Sequence, residues 1–304
     1  MIRFILFTGF LVCSVLYSYP VKSQYYFYND DYYDTPITWE LGFSAGGMNC
    51  LTDLGGKKGI GGKFIKDINW NATRLFGSLH VGACFQSMIA ANLAFFLGQV
   101  TANDNILKND GSASYGRLLR NLNFRSDIAE ASLLFEFHPL VITSNYIPKL
   151  SPYLLVGIGF FNFSPKTYFN NIWISLADLH TEGQGFSEYK NRKSYKLTQF
   201  NMPMGCGLKY EVSAVMTLRF EIVYRRLWTD YLDDVSKTYI DQTLFNHYLP
   251  PNKAALARKL ADRRLVSDPA YLTGEGSKRG NEKDNDAYFS FGFRTTLVLG
   301  RKKR

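Results

Sequence analysis

Beyond its first sixteen residues this chain has no apolar run of the roughly 18–20 residues that a membrane-spanning helix needs. That removes helical membrane proteins from consideration. Cysteine is scarce, at 4 in 304 residues, and no Cys-x-x-Cys pair occurs, which removes zinc ribbons and thioredoxin-like redox sites. The 4 histidines, His80, His138, His180 and His247, are scattered, with no His-Glu-x-x-His, and Gly-x-Ser-x-Gly is missing as well. Catalytic residues, metal ligands and cofactors are therefore expected to be none, and the chain is expected not to be an enzyme. Asp233-Asp234 and Asp284 to Asp286 lack ligand spacing and are expected to be solvated loop acids.

What is present is aromatic. Phe and Tyr number 24 and 20, in a chain that is 16% aromatic. Its opening, Met1-Ile2-Arg3 followed by apolar Phe4 to Leu16, has the form of a secretory signal peptide. Cleavage is expected after Ser23, with Ser18 as the alternative site and an uncleaved anchor as the other possibility. Removing residues 1–23 also removes Cys13, Arg3 and Lys22, so a net charge of +9 falls to +7. That modest excess suits anionic lipid headgroups, and export argues against nucleic acid. Cys50, Cys84 and Cys206 remain, an odd number in an oxidising compartment. They are expected to behave mainly as small buried hydrophobes, with Cys84 the candidate for an intermolecular disulfide.

Residues 24–37 form a Tyr/Asp-rich tail without periodicity, and 300–304 a basic C-terminal end. Between them lies a β pattern. In Ala214 to Trp228, Met216, Leu218, Phe220, Ile222 and Tyr224 alternate with Thr217, Arg219, Glu221 and Arg225, the period of a strand. Seven further segments alternate in the same way. Strand one spans Thr38 to Gly46, strand two Leu75 to Gln86, strand three Ile89 to Leu97 and strand four Ala129 to His138. Strand five spans Pro152 to Phe163, strand six Tyr195 to Tyr210, and strand eight Phe289 to Leu299. A short helix is predicted over Asn252 to Leu265, capped by Asn252, with a solvated basic face.

The connections alternate long and short, and the strand count is even. This predicts an all-β fold over 38–299: an eight-stranded antiparallel up-and-down transmembrane β-barrel with four long extracellular loops and short periplasmic turns. The apolar face of each strand would meet outer-membrane lipid. Opposite it gather Glu40, His80, Asn92, Glu130, Glu136, Lys209, Arg219, Glu221, Arg225 and Arg294, expected to pair as a charge network in the lumen. An eight-stranded barrel is just wide enough for side chains to fill, so it would not conduct a polypeptide. Both termini would lie on the periplasmic rim.

An ordered set of motifs carries a resemblance. Trp39-Glu40-Leu41-Gly42, Arg120-Asn121-Leu122-Asn123-Phe124-Arg125-Ser126, Ser151-Pro152-Tyr153 with Gly157-Ile158-Gly159, Thr181-Glu182-Gly183-Gln184-Gly185, Thr229-Asp230-Tyr231-Leu232-Asp233-Asp234-Val235-Ser236 and Arg279-Gly280-Asn281 occur in that order. Together they resemble the PorG-like outer-membrane barrels of the type IX secretion system of Bacteroidetes. The resemblance spans Thr38 to Leu299 and leaves out the tail and the Arg-Lys-Lys-Arg end. It implies a non-enzymatic part in protein export, anchoring or assembling a periplasmic ring of PorK and PorN at the outer membrane. Contact with that ring would fall on the short-turn rim near Gln86 to Met88 and Glu211 to Ala214, on the tail and on the basic end. The alternatives are an OmpA-like structural barrel or surface adhesin, and an outer-membrane lipid-modifying enzyme.

Overall fold

A computed structural model describes residues 32–33, 35–54, 69–106, 115–143, 149–264 and 274–303. The expected signal peptide and most of the expected tail lie outside the described residues. In chain order the strands are β1 (Tyr32–Tyr33), β2 (Ile37–Leu51), β3 (Arg74–Phe85), β4 (Ile89–Asn103), β5 (Asn123–Phe137) and β6 (Leu150–Phe169). They continue with β7 (Ile172–Ser175), β8 (Thr198–Ser213), β9 (Met216–Leu227), β10 (Ala287–Leu299) and β11 (Lys302–Lys303).

Eight of these strands close on themselves. The neighbour order is β5-β4-β3-β2-β10-β9-β8-β6, every pair is antiparallel, and β5 pairs with β6 to complete the ring. Closure leaves no barrel edge with unpaired backbone groups. The register fixes the stagger. From Trp39 on β2, successive partners are Ala83, Ala91, Phe135, Val156, Met204, Tyr224 and Phe289, and the circuit returns to β2 at Asn49, ten residues on. For eight strands that shear corresponds to a tilt of about 40° and an interior that side chains fill.

The two faces are inverted relative to a protein with a water-facing surface. Trp39, Leu41, Phe43, Leu79, Leu93, Phe95, Leu97, Phe135, Ile158, Phe160, Phe200, Ile222 and Phe293 are exposed on the outside. Glu40, Glu130, Glu136, Arg219, Arg225 and Arg294 are buried inside. An apolar belt this continuous greatly exceeds the few hundred Å² that monomeric soluble proteins tolerate. No helix among the described residues is long and apolar enough to cross a membrane.

Short connections lie at one rim. Gln86-Ser87-Met88 connects β3 to β4; Gln86 and Ser87 both have positive φ, and Met88 N donates back to the Phe85 carbonyl at 3.0 Å. Strand β8 runs on to Ser213, with a bulge between Glu211 and Ser213, so the turn into β9 falls at Ala214-Val215 rather than at Glu211 to Ser213. Beneath this rim, β1 pairs with β11 as a small antiparallel ribbon joining the tail to the basic end.

Toward the other rim the strands outrun their apolar period. β4 continues to Asn103, β5 begins at Asn123, and β6 extends to Phe169, where Asn170-Asn171 turn it back into β7. β8 leaves β6 beyond Thr198, and β7 takes its place from Lys166 to Phe169. Above the rim the loops fold into a cap. The helix there spans Pro251–Ala261 and buries Ala254, Ala257, Leu260 and Ala261 against Leu176, Leu179, Phe186, Ile240 and Phe245. Asn252 is not its cap; Pro250 occupies that position without a side-chain bond, because the fixed φ of Pro251 already suits the first turn.

Candidate functional site

Each barrel strand sends alternate residues inward, so the lumen is built from whatever occupies those positions. Arg219 of β9 donates through Nη1 to Glu136 Oε2 at 2.6 Å and through Nη2 to Glu40 at 2.6 Å. Arg294 of β10 donates to Glu136 Oε1 at 2.5 Å and lies 2.9 Å from Glu221 Oε1. Tyr153 donates to the same Glu221, and Asn92 to Glu136 at 2.9 Å. Nearer the cap, Arg225 Nε donates to Glu130 at 2.7 Å, and Tyr288 and Asn201 donate to the same carboxylate. Lys209 stands apart from these groups, 3.6 Å from Glu211, which Arg301 also approaches at 3.3 Å near the short-turn rim.

These contacts leave little space. One lumen cavity, bordered by Ser44, Ser78, His80, Glu130, Glu221 and Arg225, measures about 20 Å³, room for a water molecule. Gly207 shows the crowding, since a Cβ there would come within 2.5 Å of the Tyr153 ring. His80 Nε2 contacts Ser44 Oγ at 3.0 Å and Ser78 Oγ at 2.8 Å, but its Nδ1 faces Arg294 Nη1 at 3.2 Å. A serine nucleophile needs an acid, not a guanidinium, at that nitrogen, and this pair is buried in the lumen rather than set at the lipid-facing rim.

Cys84 also faces inward and is 2% exposed. Strand alternation turns its side chain into the barrel although it lies close to the rim, so a disulfide to a partner would need this end of the barrel to open. Cys50 is buried and Cys206 exposed, and all three thiols are free.

The second concentration of charge was not anticipated. Asp233 and Asp234, expected to be solvated, are fully buried in the cap. Loop residues remote in sequence converge on them. Glu182 accepts from the backbone N–H groups of Ser236 and Lys237 at 3.0 Å and from Arg279 Nη1 at 2.8 Å. Arg279 also donates to the Asp234 and Ala261 carbonyls. Arg120 bridges Asp104, at 2.8 Å, to the carbonyls of Arg279 and Asp53 at 2.7 Å. Asp53 accepts from Asn281 N at 2.6 Å, Asp233 from Leu54 N at 3.1 Å, and Asp286 from Leu232 N at 2.8 Å. Gly280 has no room for a side chain, because a Cβ would lie 2.5 Å from Asp53 Oδ2 and 2.6 Å from the Ser236 backbone.

Acids outnumber bases in this hub. Burial, reinforced by neighbouring carboxylates, pushes Asp233 and Asp286 well above the usual carboxylate range. Burial pushes Asp230 up to about 9, with the Ser236 side chain opposing and Asp53 and Asp233 adding to the rise. Asp234 is pushed up to about 6 by burial, with Arg279 and the hydroxyls of Thr181 and Tyr195 opposing. Burial works against the charge of Arg120, yet Asp104 beside it holds its pKa above the usual guanidinium value. Among the described residues, no group of three or more His, Cys, Asp or Glu could hold a metal ion. The hub is a clasp between loops in which burial shifts Asp230, Asp233 and Asp286 toward their protonated forms. Its only signal in the sequence was indirect: the Arg120, Thr181–Gly185, Thr229–Ser236 and Arg279–Asn281 motifs all end there.

No family model matches the chain, and no curated protein matches it. Solved structures with a similar trace include Neisserial surface protein A, at 8% identity and a TM-score of 0.37 over 86% of this chain and 97% of that one. Another is Ail of Yersinia pestis, crystallised with the heparin analogue sucrose octasulfate, at 8% identity and a TM-score of 0.38 over 87% and 100%. A major outer membrane protein of Thermus thermophilus stands at 10% identity and a TM-score of 0.38 over 87% and 100%. Likeness at this level carries no argument about what this chain does; its closure as an eight-stranded barrel rests on its own strand pairing.

Proposed function

We propose that this chain is an outer-membrane barrel of the type IX secretion machinery, a non-enzymatic component that anchors or assembles the periplasmic PorK and PorN ring. The observation that carries the membrane anchor is the inverted barrel, with an apolar belt outside and a closed set of ion pairs inside. Lipid is the medium in which that arrangement is stable. A filled lumen also supports an anchoring role over a conducting one, since cargo has no passage through it.

The assignment to type IX secretion rests on the ordered motifs, and PorK and PorN come with it. In this reading the short-turn rim is periplasmic and the ring docks there, around Gln86 to Met88, Ala214-Val215 and the β1–β11 ribbon. Deleting the gene should abolish release of the system's cargo, and a tagged chain should co-purify with the ring proteins. Normal cargo release from the deletion strain would sink the assignment. The folded cap favours one alternative, an OmpA-like structural barrel or surface adhesin. That alternative predicts binding through the cap and no periplasmic partner.

A further inference from the structure

We propose that the outward face where β5 meets the β6–β7 hairpin binds the phosphate group of an outer-leaflet lipid. The proposal rests on the reading of the chain as an outer-membrane barrel. Arg125 of β5 and Lys166 of β6 are direct register partners on the outward side. Side chains at such positions sit about 5 Å apart, and like charges placed so destabilise a sheet. One nearby carboxylate relieves only half of this. Asp127 Oδ2 accepts from Lys166 Nζ at 2.9 Å, and its Oδ1 is taken by Gln99 at 2.6 Å.

Arg125 makes no hydrogen bond among the described residues. Its guanidinium carbon lies over the Trp173 ring, 4.1 Å from the centroid, and its Nε is buried without an acceptor. Trp173 in turn packs on Tyr168, at 5.3 Å between ring centroids, and both rings are partly exposed on the same face. The patch thus holds Arg125 and Lys166 against one acid, with aromatic rings that fix one guanidinium in place.

Its height selects the anion. On β5 the apolar belt ends at Ala129, and Arg125 lies four residues further toward the cap. At about 3.4 Å per residue and a tilt of about 40°, that places it roughly 10 Å above the belt, within reach of the headgroup layer. Trp and Tyr are the residues that favour this interface. The anion met at that height on the lipid side is a lipid phosphate, and a planar guanidinium beside an ammonium matches it through charge-assisted hydrogen bonds.

The test uses the full chain folded into phosphatidylcholine nanodiscs doped with bisphosphorylated lipid A, or with the same lipid after enzymatic dephosphorylation, read by native mass spectrometry. The wild type should retain the phosphorylated form about tenfold better, the scale of 1.4 kcal/mol, and an Arg125→Gln/Lys166→Gln double variant should lose that preference. Asp127→Asn, which frees Lys166, should strengthen retention. Equal retention of the two lipids by the wild type would overturn the site. So would undiminished preference in the double variant, or weakened retention in Asp127→Asn. A wild-type chain that fails to enter nanodiscs and shows no heat-modifiable migration would instead overturn the membrane reading beneath it.

Discussion

Arg279 Nη1 lies 2.8 Å from Glu182 Oε1 although they are 97 positions apart in sequence, and both side chains are buried within the cap. The pair ties the Thr181–Gly185 turn to the end of the longest loop. Arg279 carries two backbone carbonyls as well, and Glu182 two backbone N–H groups. Removing either charge strands the other in a low-dielectric site. Arg279→Met should therefore open the cap at a cost of about 3–5 kcal/mol, while the barrel, whose ladder does not involve it, stays closed. Limited proteolysis should cut the variant within 229–286 far faster than the wild type, with heat-modifiable migration unchanged. Equal cleavage would show that the pair does not hold the cap.

In the lumen the comparable residue is Arg219, which is fully buried and bonded to both Glu40 and Glu136. Arg219→Leu leaves Glu40 with no arginine partner, although Arg294 still reaches Glu136. The loss should be roughly 3–5 kcal/mol, read as a lower urea midpoint for the folded barrel in detergent. Met216→Leu, on the outward side of the same strand, conserves volume and should change stability by less than about 1.5 kcal/mol. Equal midpoints for the two variants would contradict the inward placement of Arg219.

How much of this was legible depended on where a residue sits relative to the apolar belt. Residues 216–228 alternate because one side meets the belt and the other the lumen, so β9 could be read from its own period. Beyond the belt that reason lapses. Ser164-Pro165-Lys166-Thr167 has no apolar alternation, yet β6 continues through it, held by Asp127↔Ser164 and Arg125↔Lys166 on one side and by β7 on the other. The hub was harder still. Asp233-Asp234 looks like any solvated acidic pair until Leu54, Thr181 and Tyr195 are brought to it by tertiary folding, and no local pattern encodes that approach. Asn252 misled for a related reason, since a good capping residue one position inside the helix is indistinguishable by composition from the cap itself.

The cysteines give an inexpensive check on strand facing. Cys206 alternates outward on β8, whereas Cys84 on β3 turns inward and Cys50 lies under the cap. A small membrane-permeant maleimide should modify one thiol per folded chain in detergent, and mass spectrometry should place it on Cys206. After heating in denaturant all three should react. Modification of Cys84 in the folded state would mean that the barrel end is open, and would favour it as a cross-linking site.

The clasp in the cap should make loop packing sensitive to alkali, and the sign follows from which way its acids are displaced. Asp234 stands at about 6 and Asp230 at about 9, both above the ordinary aspartate value of 3.8. A carboxyl whose pKa is raised by folding binds its proton more tightly in the folded state. Its contribution is complete below about pH 4 and is lost as pH rises through the folded value: first near 6 as Asp234 ionises, then near 9 as Asp230 does. Arg279 and Arg120 stay charged throughout, so they soften the first step without reversing it. Amide exchange in 229–240 and 274–286, corrected for intrinsic rate, should accelerate between about pH 5 and 10 while strands β4 and β9 stay protected. Asp230→Asn, a neutral isostere of the protonated acid, should shrink the upper step, to which Asp233 and Asp286 also contribute, and leave the lower one. Exchange that slows with rising pH, or an upper step unchanged in Asp230→Asn, would mean that Asp230 is not a protonated member of the clasp.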